Sequence, residues 1–118
     1  MKKNIAIIIS KLEGGGAERM ASNLSLLLSD TYNVSIIVFD TSHISYPYAG
    51  KLIDLGIPAS KNSLSRVVHF IKRIRKVKKI KKENQIDCSI SLLDGPNMVN
   101  ILSRQNDRLI ISVRNKIS

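Results

Sequence analysis

Ile5-Ala6-Ile7-Ile8-Ile9-Ser10-Lys11-Leu12-Glu13-Gly14-Gly15-Gly16-Ala17-Glu18-Arg19 is the stretch on which the fold of this chain turns. Its first six residues form a continuous apolar run, closed by Ser10 and rich in β-branched side chains, the pattern of a strand buried on both faces. A polar break and three glycines follow, after which Ala17, Met20, Ala21, Leu24, Leu27 and Leu28 recur at helical spacing. Asp30 to Asn33 close that helix, and Val34 to Phe39 form a second β-branched run. Strand, glycine loop, helix and strand make a βαβ unit, whose crossover is right-handed.

Outward from this unit the alternation continues. Pro47, Gly50, Gly56 and Pro58 interrupt residues 40–61 around a short apolar stretch at Leu52 and Ile53, which suits a brief third strand. A second helix is expected over 63–83, opened by Ser63 as its cap and carrying Leu64, Val67, Val68, Phe70, Ile71, Ile74 and Val77 on one side. Residues 87–92 read as a strand, Asp94-Gly95-Pro96 as a helix start continuing through Val99 to Ser103, and Leu109 to Val113 as a last strand. The pattern predicts an α/β fold, a doubly wound, mostly parallel sheet of about five strands. Ligands of such sheets bind at the carboxyl ends of the strands, where the winding reverses. With the first and fourth strands flanking that reversal, the loops at 11–16 and 93–97 face each other.

A chain of 118 residues has room for one core. With 43% apolar and 24% charged residues it belongs with folded proteins and not disordered ones. The lone Cys88 excludes an internal disulfide and a cysteine-cluster metal site, and no metal or cofactor is called for. The apolar run at residues 5–9 is too short for a signal peptide, and no stretch approaches the roughly 20 residues that span a bilayer. A cytoplasmic location is expected.

The net charge of +10 is local: nine Lys or Arg and no acid lie between Arg66 and Lys82, while ten basic residues face nine acidic ones elsewhere. On a helix most of these cations fall opposite the apolar arc. Lys78 interrupts that arc beyond Val77, so the last turns are expected to project past the core. A solvated charged face explains the run; an anionic partner would relieve its self-repulsion. The partner favoured is the anionic cytoplasmic membrane surface, met by Arg75, Lys76, Lys78, Lys79, Lys81 and Lys82. Stacking aromatics and nucleic-acid motifs are missing there, so no specific nucleic-acid partner is expected.

The glycine loop carries the chemistry. Glycines let the backbone approach a ligand, and the free amides at a helix start attract phosphate. Gly15 and Gly16 would lie against it, and Arg19 would reach a further phosphate oxygen or pair with Glu18 or Glu13. A plain tight turn accounts for the same glycines. The Gly-Lys-Ser/Thr of a nucleotide-triphosphatase loop is absent, and a dinucleotide fingerprint lacks its third glycine where Arg19 stands, although Asp40 ends the second strand as a ribose-binding acid would. An NAD-binding oxidoreductase fragment and a non-enzymatic anion- or membrane-binding α/β module stay open as alternatives. His43 and His69 read as surface histidines, Cys88 as a small buried side chain and Asp94 as a helix cap; no catalytic base stands out.

Gly15-Gly16-Ala17-Glu18-Arg19, the segment from Asp87 to Asn97 ending in Asp94-Gly95-Pro96-Asn97, and Ile111-Ser112-Val113-Arg114-Asn115 together resemble the amino-terminal domain of the retaining glycosyltransferases of family 4. The resemblance runs over essentially the whole chain in element order. It implies one Rossmann-like half of a GT-B fold, with a nucleotide-diphosphate sugar as donor and a saccharide or lipid-linked acceptor. It places Gly15, Gly16 and Arg19 at the donor diphosphate or an acceptor phosphate, and Asp94, Asn97, Arg114 and Asn115 along the acceptor cleft. Val113 departs from the glutamate that relatives often carry there. Domains of this family continue further and pair with a donor-binding domain, so the resemblance implies an acceptor-side piece that does not turn over substrate alone.

Overall fold

A computed structural model describes residues 2–12, 15–40, 44, 46–57 and 62–112. Five strands and three helices alternate: β1 (Asn4–Ile9), α1 (Gly16–Leu28), β2 (Asn33–Val38), β3 (Lys51–Asp54), α2 (Ser63–Glu83), β4 (Cys88–Leu92), α3 (Asp94–Leu102) and β5 (Arg108–Ser112). All strands pair in parallel in the order β3-β2-β1-β4-β5. The winding reverses between β1 and β4, as expected from the sequence, giving the doubly wound, Rossmann-like α/β arrangement.

Strand alternation divides the core into two layers. Ile7, Ile9, Ile36, Val38 and Leu92 face α1, which meets them with the small Ala17 and Ala21 and with Leu24 and Leu28. Ala6, Ile8, Ile37 and Phe39 point the other way, against Val77, Phe70, Ile74 and Ile80 of α2 and Val99 of α3. Successive side chains of a strand leave opposite faces, so β1 is apolar throughout because both of its faces are covered. The β2–β3 connection lies over α1, held there by Ser22 Oγ donating to the Pro47 carbonyl and by the Ala49 amide donating to Ser25 Oγ at 3.1 Å. At its end Gly50 adopts φ +95°, where an added Cβ would sit 2.4 Å from the Val34 carbonyl oxygen. Only glycine fits that approach.

α2 keeps its expected bounds, but its cap is Asn62, whose Oδ1 accepts from the Leu64 amide at 3.1 Å, in place of Ser63. Its apolar arc is also only partly used. Arg73 Nη2 donates to the Ile57 carbonyl at 3.2 Å and Lys76 Nζ to that of Leu55 at 2.8 Å, which sets these residues level with the chain just past the end of β3. The helix runs back along the sheet from there, and at about 1.5 Å per residue its first turns overhang the carboxyl edge. Leu64, Val67, Val68 and Ile71 lie on the flank turned away from the core-packed Phe70 and Val77 and are exposed. The end of the helix does the reverse of projecting: Val77 and Lys81 are buried and Ile80 packs on the core.

Candidate functional site

The winding rule puts the candidate crevice at the carboxyl ends of β1 and β4. Gly15, extended at φ −74° and ψ 177°, is the N-cap of α1, and its carbonyl accepts the first helical bond from Arg19 N at 3.2 Å. The Leu93 carbonyl does the same for Asn97 N at 2.9 Å in α3. Neither helix has a side-chain cap. The amides of the first turns of α1 and α3 have no carbonyl four residues back, and because β1 and β4 are neighbours both helix starts border one crevice. Their dipoles make it favourable for negative charge.

A carboxylate is already there. Glu18, in the first turn of α1, is 7% exposed, and its Oε1 lies 2.7 Å from where a Cβ on Gly15 would be. The Glu18 tip is thus folded back onto Gly15, and an anionic ligand of the loop must displace this carboxyl group or bind beside it. Arg19 is exposed, with its guanidinium 5.7 Å from the centre of the Tyr46 ring, so it leans on the β2–β3 connection.

Leu93 has φ 78° and ψ 157°, a region that is costly for any residue with a side chain, of order 1–3 kcal/mol. The buried polar groups beneath the loop restrain it. Ser91 Oγ donates to Asn97 Oδ1 at 2.7 Å, and Asn97 Nδ2 donates to the Ser112 carbonyl at 2.9 Å, tying α3 to the ends of β4 and β5. Asn97 is buried, with both ends of its amide used in this way, which corrects its expected place on the acceptor cleft. Asp94 is the exposed first residue of α3 and not its cap; the cap position is Leu93. Of the crevice residues anticipated from sequence, Gly15, Gly16 and Asp94 stand at the starts of α1 and α3, on the carboxyl edge of the sheet. Gly14, His43, Val113, Arg114 and Asn115 lie outside the described residues.

The polar groups continue inward as a chain that sequence reading missed. Asn100 Nδ2 donates to Ser91 Oγ at 3.0 Å, while Asn100 Oδ1 accepts from Lys81 Nζ at 2.7 Å. Lys81 Nζ also donates to the Asn100 carbonyl at 3.1 Å and pairs with Asp107 Oδ2 at 2.9 Å, both side chains being wholly inaccessible. Ser89 Oγ and the Gln105 amide complete the shell around Asp107, at 2.5 and 2.8 Å. Burial pushes the Asp107 carboxyl up, but the hydrogen bonds from Ser89, Lys81 and Gln105 together outweigh it and hold the group below the ordinary carboxylate range. Burial pulls Lys81 down against the opposing pull of Asp107. The legible trace was Ser89 and Ser91, two apart on a buried strand, facing Asn97 and Asn100, three apart on a short helix.

Lys81 therefore belongs to the interior, which corrects its assignment to an anionic surface. Among the other named cations Lys76 is docked on Leu55 and Lys79 pairs with Glu83 at 3.7 Å across an exposed turn, whereas Arg75, Lys78 and Lys82 stand in solvent. His69, Lys72, Arg75 and Lys76 line a concavity of about 390 Å³ against Gly56 and Ile57. A second concavity, about 490 Å³, lies at the opposite, amino edge, where Ile90, Ile110, Cys88 and Arg108 leave the α1 side of β4 and β5 open. Burial raises the Cys88 thiol there, and Arg108 opposes the shift. No family model matches the chain, and no curated protein matches it.

Proposed function

We propose that this chain is the acceptor-side half-domain of a retaining glycosyltransferase, moving a sugar from a nucleotide-diphosphate donor to a saccharide or lipid-linked acceptor in surface polysaccharide or glycolipid synthesis at the cytoplasmic face of the membrane. One observation carries the reading: α1 starts at Gly16 and α3 starts after the strained Leu93, each following one of the two adjacent strands, β1 and β4, between which the winding reverses. In the transfer step negative charge grows on the departing diphosphate, and fixed backbone amides at Gly16 and Ala17 would stabilise it without having to reorganise. Asp94, exposed at the lip, would accept a hydrogen bond from an acceptor hydroxyl. The Glu18 carboxyl group marks where the diphosphate charge would settle, and it would swing away as the donor enters.

The test is an NMR titration of the isotope-labelled chain with UDP, GDP and inorganic pyrophosphate. Saturable shifts of the Gly15, Gly16 and Ala17 amides are expected with at least one of them. Glu18→Gln should tighten that binding about fivefold, the effect of removing one like charge a few ångströms away in water. If none of the three moves these amides at millimolar concentration, the reading fails; saturation by NADH alone would give the crevice to a dinucleotide instead.

A further inference from the structure

We infer that the outer flank of α2 docks on an anionic bilayer with its first two turns inserted and its later turns lying on the headgroups. At about 100° per residue, Leu64, Val67, Val68, Ile71, Arg75, Lys78, Lys79 and Lys82 fall within one sector roughly 120° wide. All eight are exposed. The sector is divided along the axis: four aliphatic side chains come first, 73%, 56%, 42% and 46% exposed, and four cations follow. It contains no acid; the nearest is Glu83 beside Lys79.

Each half needs a different environment. Aliphatic groups this exposed and this close together call for an apolar partner. The cations call for fixed negative charge. A nucleic acid would meet the second need and leave the first unmet. A bilayer meets both within a few ångströms of depth, acyl chains below and anionic headgroups above. Because the two halves succeed one another along the axis instead of facing opposite ways, the helix must tilt, its amino end deeper. The aliphatic part spans only ~10 Å of helix axis, which suits the 5–10 Å depth of an interfacial helix. Consistent with a surface mode, no helix among the described residues is long and apolar enough to cross a membrane.

The tilt has a directional consequence. The inserted turns overhang the carboxyl edge of the sheet, the edge on which the β1–β4 crevice opens, so docking turns that edge toward the membrane. The docking surface stands on α2 alone and does not rest on the sugar-transfer reading.

The test is co-sedimentation of the full chain with phosphatidylcholine vesicles, with and without about 30 mol % phosphatidylserine, at roughly physiological ionic strength. Binding is expected only to the anionic vesicles. Leu64→Ser/Ile71→Ser should weaken it at least tenfold, and Lys78→Gln/Lys82→Gln about 25-fold, near fivefold per charge. Both variants should melt at the wild-type temperature, since only exposed side chains change. Unaltered vesicle binding by the serine variant would reduce the effect to unspecific charge adhesion and overturn the insertion. So would a wild-type chain that ignores vesicles but binds duplex DNA, or one that forms a dimer abolished by the serine substitutions.

Discussion

The two ends of α2 invert what their sequences suggest. Its first turns are rich in aliphatics and stand in solvent, with Leu64 the most exposed; its last turns are rich in lysine, and Lys81 is 1% exposed within the protein. Hydropathy describes what a side chain prefers, while burial depends on what lies opposite it. Opposite Lys81 are Asp107 and Asn100, brought there by β4, α3 and β5; Leu64, Val67 and Val68 lie on the flank of α2 turned away from the core. The lesson is that a charge run on a helix must be divided residue by residue before it is assigned to a partner.

The contrast can be broken most forcefully at Lys81. Lys81→Ala leaves the Asp107 carboxylate buried without its counter-ion, and should cost about 3–5 kcal/mol in urea unfolding. Lys82→Ala, one residue on and exposed, should stay within about 0.5 kcal/mol of wild type. Equal effects would mean that the Lys81 pair is not enclosed.

A smaller but opposite-signed pair sharpens it. Val77→Ala removes two buried carbons against the central strands and should cost about 2 kcal/mol. Val67→Ala, in the overhanging turns, should stabilise the chain by up to about 0.5 kcal/mol, because alanine is the better helix former and no core contact is lost.

The acid limb of stability tests the same ion pair without altering Lys81. Asp107 is held below its unfolded value, so its contribution is complete above about pH 4 and disappears as pH falls through the lower folded value. In Asp107→Asn the carboxyl titration is gone, and the fall in stability below pH 4 should be shallower than in wild type, as followed by urea midpoints across that range.

Most of the architecture was legible before any coordinates. The β-branched run at 5–9 and the helical spacing from Ala17 to Leu28 identify their elements by period alone, and the observed bounds fall within about one residue of those expected for the strands and for α2. The position of the crevice was legible too, because the order of strands and helices in an α/β sheet constrains where the winding reverses. Asp94 was misjudged as a cap because capping depends on the backbone of the preceding residue, and Leu93 takes an unusual conformation that no sequence pattern signals.

The set of elements, their order and the glycine-lined turn after β1 follow from residue order, since local periodicity and backbone freedom are properties of neighbours along the chain. That Asn97 braces a strained loop, that Lys81 is an interior ion and that the aliphatic flank of α2 is left exposed came from packing alone. Those outcomes depend on residues distant in sequence meeting across the sheet, and on which flank of a helix is turned to the core.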